Sequence, residues 1–205
     1  MTTREKILNE ALILFSERGY SDVYVGDIAD AVGIKAPSLY KHFKGKQEIF
    51  DSCVEVFQKR MNNTREHLML PDAPQSNTSY ETADKEMITS FAWGLFMFYW
   101  KDEVASRFRK MLMIERYRNA ELNKIFEDIF IIGAVEHEER QFAKLVNAGI
   151  IRKENPHILA LRFYSPILYL LQKYDMYPEK EDEAKAELTA LVDEFCRTYN
   201  GDMNA

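Results

Sequence analysis

The chain has 205 residues, a formal net charge of −6, 46% hydrophobic and 29% charged residues, with only 8 Gly and 6 Pro. A chain of this length buries about 70% of its unfolded surface, so one large or two small domains can form without staples, and the composition excludes a fibrous or globally disordered protein. Cys53 and Cys196, the two cysteines, stand too far apart in sequence for a disulfide scaffold or zinc ribbon and suit a reducing compartment, so a cytoplasmic location is expected.

The opening residues MTTREKILNE turn charged at once and hold no apolar h-region, so no secretory signal is expected. The longest apolar stretch, over 87–100, includes Thr89, Ser90 and Gly94 and is too short to span a bilayer, so no membrane partner is expected. The net charge is unevenly placed. Residues 1–60 hold nine Lys/Arg and nine Asp/Glu, which leaves all of the −6 to residues 61–205. Between Ala31 and Gln47 stand Lys35, Lys41, Lys44 and Lys46 with no acid among them. Any contact with a polyanion falls to this patch.

Period-two alternation is almost absent, and the chain reads as all-α with about nine helices. The first opens on a capping box, Thr2 and Glu5, carries the stripe Ile7, Ala11, Leu12, Leu14 and Phe15, and ends at Gly19. A short helix over about 25–32 stops at Gly33; another, over about 36–42, has Pro37 in its first turn, where a missing N–H costs nothing. The next runs over about 46–66 with Ile49, Phe50, Val54 and Phe57 inward. The stretch over 71–84, rich in Pro, Ser, Asn and Thr, reads as a mobile loop. Helices are then expected over 82–101, 103–116, 119–148, 157–174 and 178–199, with Pro166 kinking the second-last. Pro178 begins the final helix and Gly201 follows its end.

Two short helices around Gly33, from Asp27 to Tyr40, have the proportions of a helix-turn-helix, with Ala29, Val32, Ile34 and Leu39 as its small core. In such a unit the second helix points its first turn into the major groove. The spacing alone equally fits any helical hairpin.

The run Ile7–Ala11–Phe15–Gly19–Tyr20, then Val25, Asp27-Ile28-Ala29, Ala31, Gly33-Ile34, and above all Ser38-Leu39-Tyr40, His42-Phe43 and Lys46, resembles the N-terminal domain of the TetR family of bacterial transcriptional regulators. The likeness is specific over residues 3–55; beyond that it rests on helix number and on FRKMLMIERYRNAEL, 108–122. The resemblance implies a three-helix DNA-binding domain with a helix-turn-helix over 1–48 and a helical ligand-binding and dimerisation domain over 49–205, with the helix over 46–66 joining them. It also implies a homodimeric repressor that leaves palindromic operator DNA when a small apolar or amphipathic molecule binds. The chain departs from the family at Val23 and Tyr24, where hydroxyls are usual, and at Lys35, where a serine is common. Asp27 is thereby left without a hydroxyl capping partner, and Ser21 or Asp22 is the substitute cap.

The resemblance assigns Tyr40 and Lys46 to phosphate. A cation beside helix N-terminal amides is an anion site in its own right, which supports Lys46. Ala36, Pro37 and Ser38 stand in the turn nearest base edges, where Ser38 alone can hydrogen-bond. Lys35, Lys41, His42 and Lys44 complete the expected DNA-binding set, with solvated surface residues as the alternative.

In the C-terminal part, the helix over 82–101 is apolar around much of its circumference, which marks a central helix. Trp93, Phe96, Trp100, Phe108, Met111, Phe163 and Tyr164, with Glu115 at the rim, are the expected ligand pocket; a packed core is the alternative. Arg107, Arg109 and Glu115 are candidates for orienting a ligand, or else surface ion pairs. Leu188, Leu191, Val192, Phe195 and Tyr199, with Leu168 of the preceding helix, form the expected half of a four-helix dimer bundle.

Enzyme signatures are missing. His42, His67, His137 and His157 show no metal spacing, and neither a phosphate-binding glycine loop nor a nucleophile elbow occurs. No catalytic residue, cofactor or metal is expected. The remaining rival is a helical protein-interaction module that binds no DNA.

Overall fold

The computed structural model describes residues 1–68 and 85–199. The loop expected over 71–84, the first residues of the helix expected from 82, and Gly201 lie outside the described residues. All regular structure among the described residues is helical: α1 (Thr3–Arg18), α2 (Val25–Val32), α3 (Ala36–Leu39), α4 (Lys46–His67), α5 (Lys85–Lys101), α6 (Glu103–Glu115), α7 (Ala120–Phe126), a π-helical turn (Glu127–Ile131), α8 (Ile132–Asn147), α9 (Pro156–Asp175) and α10 (Glu181–Tyr199). None of these helices is long and apolar enough to cross a membrane.

Local chemistry accounts for most boundaries. Thr2 Oγ1 accepts from the Glu5 N–H at 3.2 Å and the Glu5 carboxylate accepts from the Thr2 N–H at 2.8 Å, so the capping box at α1 is closed in both directions. Asp102 caps α6 through the N–H groups of Val104 and Ala105, and Asn119 caps α7 through those of Glu121 and Leu122.

Three expected spans are corrected. The helix over 36–42 ends at Leu39, because the chain tightens there: His42 N–H donates to the Leu39 carbonyl at 2.9 Å, a three-residue step. The last helix begins at Glu181, three residues after Pro178, with Glu181, Asp182 and Glu183 facing the positive end of its dipole. The helix over 119–148 is interrupted by the π turn. Gly133 permits this turn: a Cβ there would lie 1.9 Å from the Asp128 carbonyl oxygen. The Tyr164 hydroxyl donates to the carbonyl of Phe130 inside the turn at 2.9 Å, so a buried backbone acceptor is satisfied. Pro166 lies within α9 and does not end it.

The fold divides into two compact units, Met1–Asn63 with Lys101–Glu127, and Thr64–Trp100 with Asp128 onward. The first therefore takes in α6 and α7, which a linear division at 48 assigns to the other domain. Its core runs from Ile7, Ala11 and Phe15 of α1 through Ile28 and Leu39 to Ile49, Phe50 and Phe57 of α4, all buried. α6 packs on α1, and its Phe108 stacks on Phe57 at 4.6 Å between ring centroids.

The second unit is built on rings. Trp93 of α5 stacks on Phe96 at 5.5 Å, Phe96 meets Trp100 at a tilt at 5.2 Å, and the Trp100 indole donates to the Tyr174 carbonyl at 3.0 Å. Phe142, Phe163 and Phe195 close a triangle with sides of 5.5, 5.3 and 5.3 Å. This geometry corrects the expected dimer stripe. Leu188, Val192, Phe195 and Tyr199 are buried inside the chain, because the apolar face of α10 turns inward toward α9 and the ring triangle. Leu168 is half-buried and Leu191 is 37% exposed. The apolar side chains left outward are Ile158, Leu161 and Tyr169 of α9 with Leu191 of α10.

Candidate nucleic-acid interface

α2 ends at Gly33, whose φ of +77° is open to glycine at little cost, and Ile34 N–H returns to the Ala29 carbonyl at 2.9 Å. That turn delivers the chain to α3, with Lys35 at the N-cap making no side-chain cap bond and Pro37 in the first turn. Leu39 and Phe43 are buried and anchor the segment, while the Arg4 guanidinium covers the Phe43 ring at 4.4 Å. With the anchors inward, Lys35, Pro37, Tyr40, Lys41, His42 and Lys44 are exposed, and Ala36 and Ser38 are half-buried. Tyr40 is 55% exposed, with its ring outside the core that holds Phe43.

At the start of α2 the Asp27 carboxylate accepts from the Tyr24 N–H at 2.7 Å and pairs with Arg18 at 3.4 Å. Neither Ser21 nor Asp22 is the cap; Tyr24 holds that position. The Tyr24 N–H, seconded by Arg18, holds the Asp27 carboxyl below the usual carboxylate range. Tyr24 itself is 70% exposed, and with Tyr40 and Tyr117 it is one of three large rings on this unit's surface.

Lys46 is the clear departure from expectation. Its ammonium donates to the carbonyls of Tyr20 and Val23, each at 2.8 Å, with Ser21's at 3.4 Å, and sits 4.4 Å above the Tyr20 ring. An ammonium has three donors, and these carbonyls take them. Burial pulls its pKa down, opposed by the nearby Glu115 and Asp22 charges. In this structure Lys46 serves the loop between α1 and α2 and has no donor left for phosphate.

The same loop is held from the other side. Glu115, fully buried at the end of α6, accepts from the Ser21 N–H at 2.8 Å and the Ser21 hydroxyl at 2.7 Å. Arg118 pairs with Asp22 at 2.9 Å. No local signal could have found these pairs, since Ser21 and Glu115 are 94 residues apart.

The expected pocket residues fall into both units. Trp93, Phe96, Trp100, Phe163 and Tyr164 belong to the second; Trp93, Phe96 and Trp100 form a row of ring contacts, Phe163 joins the ring triangle, and Tyr164 holds Phe130. Phe108, Met111 and Glu115 belong to the first, with Phe108 stacked on Phe57 and Glu115 committed to Ser21. Arg107 reaches Asn9 at 3.3 Å, and buried Arg109 lies 3.2 Å from the Met113 sulfur.

Residues 7–53 match the sequence profile of a family described as bacterial regulatory proteins, tetR family. Over 60 residues the chain is 42% identical to the biofilm operon icaADBC HTH-type negative transcriptional regulator IcaR of Staphylococcus aureus, a match covering 29% of this chain and 32% of that one. The chain thus spans about a third of the length of the curated relatives it matches. Over the whole chain its fold is similar to that of SmeT solved in complex with triclosan, at TM-score 0.70 and 23% identity, covering 99% of this chain and 94% of that chain. SmeT is described as the repressor of the Stenotrophomonas maltophilia multidrug efflux pump SmeDEF. A further similar fold is the fatty acid degradation regulator FadR from Bacillus halodurans, at TM-score 0.61 and 17% identity, covering 100% and 97% of the two chains.

Proposed function

We infer, from the premise that the chain belongs to the tetR family of bacterial regulatory proteins, that it is a DNA-binding transcriptional regulator, a homodimeric repressor that a small molecule releases from its operator. The observation that carries this reading is the exposed cationic face built on a closed helix-turn-helix: Lys35, Tyr40, Lys41, His42 and Lys44 outward, Leu39 and Phe43 inward. The cations neutralise phosphate and set register, while Ala36, Pro37 and Ser38 approach the base edges. A segment over 1–48 reads DNA, and the remainder supplies effector binding and dimerisation.

One short recognition helix needs a two-fold partner to reach successive grooves. The outward side chains Leu161 and Tyr169 of α9, with Leu191 of α10 and the half-buried Leu168 between them, are the proposed seam. The effector is a mostly apolar organic molecule taken up among the rings of the second unit, a reading supported by Trp93, Phe96 and Trp100 and by the triclosan complex of the similar fold. The compartment is the cytoplasm, where a DNA-binding regulator works.

Selection from a random duplex library, followed by footprinting, tests the reading. Two symmetry-related protected half-sites are expected. A folded dimer that enriches no common site refutes DNA regulation and returns the chain to the class of protein-interaction modules.

A further inference from the structure

We propose that Glu115 is a positioning residue for DNA reading: with Lys46 it latches the loop Gly19–Tyr24 and so fixes the helix-turn-helix against α6. This rests on the functional reading above and adds a device to it. The loop makes little structure of its own, with Val23 N–H returning to the Tyr20 carbonyl only at 3.4 Å. Its polar groups are instead held by charged side chains: the Arg18 guanidinium donates to the Asp22 carbonyl at 2.8 Å, and Lys46 and Glu115 take the groups on either side. The Lys46 ammonium takes the carbonyls of Tyr20 and Val23, and the Glu115 carboxylate takes the N–H and hydroxyl of Ser21.

The fit is close enough to dictate a neighbour. Gly19 has φ +83°, and a Cβ there would lie 2.5 Å from Glu115 Oε1 and 2.9 Å from Ile114 Cγ2. A glycine at this place both turns the chain and makes room for the carboxylate. Tyr24, where the loop ends, is the N-cap of α2, so the latch sets where the first helix of the reader begins.

A fully buried carboxylate is a costly way to hold a loop, and an apolar side chain would often be as stable. Its distinctive property is direction: two hydrogen bonds from one residue fix position, and they are lost together when the end of α6 moves. A displacement of the end of α6 therefore reaches the loop at Ser21.

The test uses full-length Glu115→Gln, Ser21→Ala and the double variant, with amide hydrogen exchange and binding to the operator that the wild type selects. Glu115→Gln is expected to speed exchange at the Ser21 amide and in α2, leave α8–α10 unchanged, and weaken operator binding about tenfold, the scale of one hydrogen bond to a charged group. The double variant should bind no worse than Glu115→Gln alone, and the salt slope should stay at the wild-type value because no phosphate contact is removed. Should Glu115→Gln fail to fold, the milder Ser21→Ala carries the same exchange and binding arms. Unchanged Ser21 and α2 exchange in a folded variant, additive losses, or a shallower salt slope would each overturn the latch. A wild type that selects no DNA overturns the functional reading alone, and the exchange arm still decides the latch.

Discussion

The two units solve the problem of holding helices together by different means. In the first, charged side chains tie down backbone: Lys46 on carbonyls, Glu115 on Ser21, Asp27 on the α2 N-terminus, Arg18 on the Asp22 carbonyl. In the second, ring packs on ring, and the single turn of irregular helix is held by a tyrosine hydroxyl. Hydrogen bonds to charged groups are directional and fail abruptly, whereas aromatic packing is less directional and tolerates rearrangement.

The largest effect should come from Phe108→Ala. If Phe108 is a core ring of the first unit, as its stacking on Phe57 indicates, chemical denaturation should show a loss of about 3–5 kcal/mol. A loss under about 1 kcal/mol would mean that the ring faces space, restoring it to the pocket and blurring the contrast between the units.

Leu161→Glu with Leu191→Glu should come next. Both side chains are partly exposed in the single chain, so the protein should fold, while two like charges enter a symmetric seam and sedimentation should show monomers with dimer affinity reduced about 100-fold or more, about 2.7 kcal/mol. An intact dimer would move the seam off α9 and α10.

Lys46→Met should cost about 2 kcal/mol of stability in denaturant titrations, since buried carbonyls of Tyr20 and Val23 lose a charged donor. The salt dependence of DNA binding should keep its slope, in contrast to Lys41→Ala, which should lower it by about one unit. A Lys46→Met variant of full stability and reduced slope would make Lys46 a phosphate contact after all.

The smallest effect concerns Asp27. Its carboxyl is held low by the Tyr24 N–H and Arg18, so the stability it adds is fully present at neutral pH and disappears as pH falls through that lowered value. The modest gap between wild type and Asp27→Asn in thermal melts should close over the same acidic range. A gap that persists at the acid end would assign it to packing.

Features set by near neighbours were legible in the sequence: the Thr2–Glu5 box, the helix stop at Gly33, the inward Leu39, the lysines flanking α3. Periodicity also found the apolar stripe of α10, but a stripe says that a face is covered and not what covers it. Leu188 and Phe195 accordingly pack within their own chain. The carbonyl contacts of Lys46 were not legible, because a lysine at a helix start suits phosphate and carbonyl alike and only the fold brings Tyr20 and Val23 to it. Ser21 and Glu115 had no joint signal at all. The break after α7 was hidden because apolar spacing drifts gradually, although Gly133 marked the place.

A π turn holds one residue more than an α turn over the same path, so every side chain after Ile131 is rotated by about 100° from where a regular continuation of α7 would put it. The inward facing of His137, Glu138, Gln141 and Phe142 on α8 depends on that surplus residue. Deleting any one residue of 128–131 would swing His137 and Gln141 to where Glu136 and Arg140 now lie exposed and turn in Glu139 and Ala143. In this stretch, apart from Gly133, the number of residues is under tighter physical constraint than their identity.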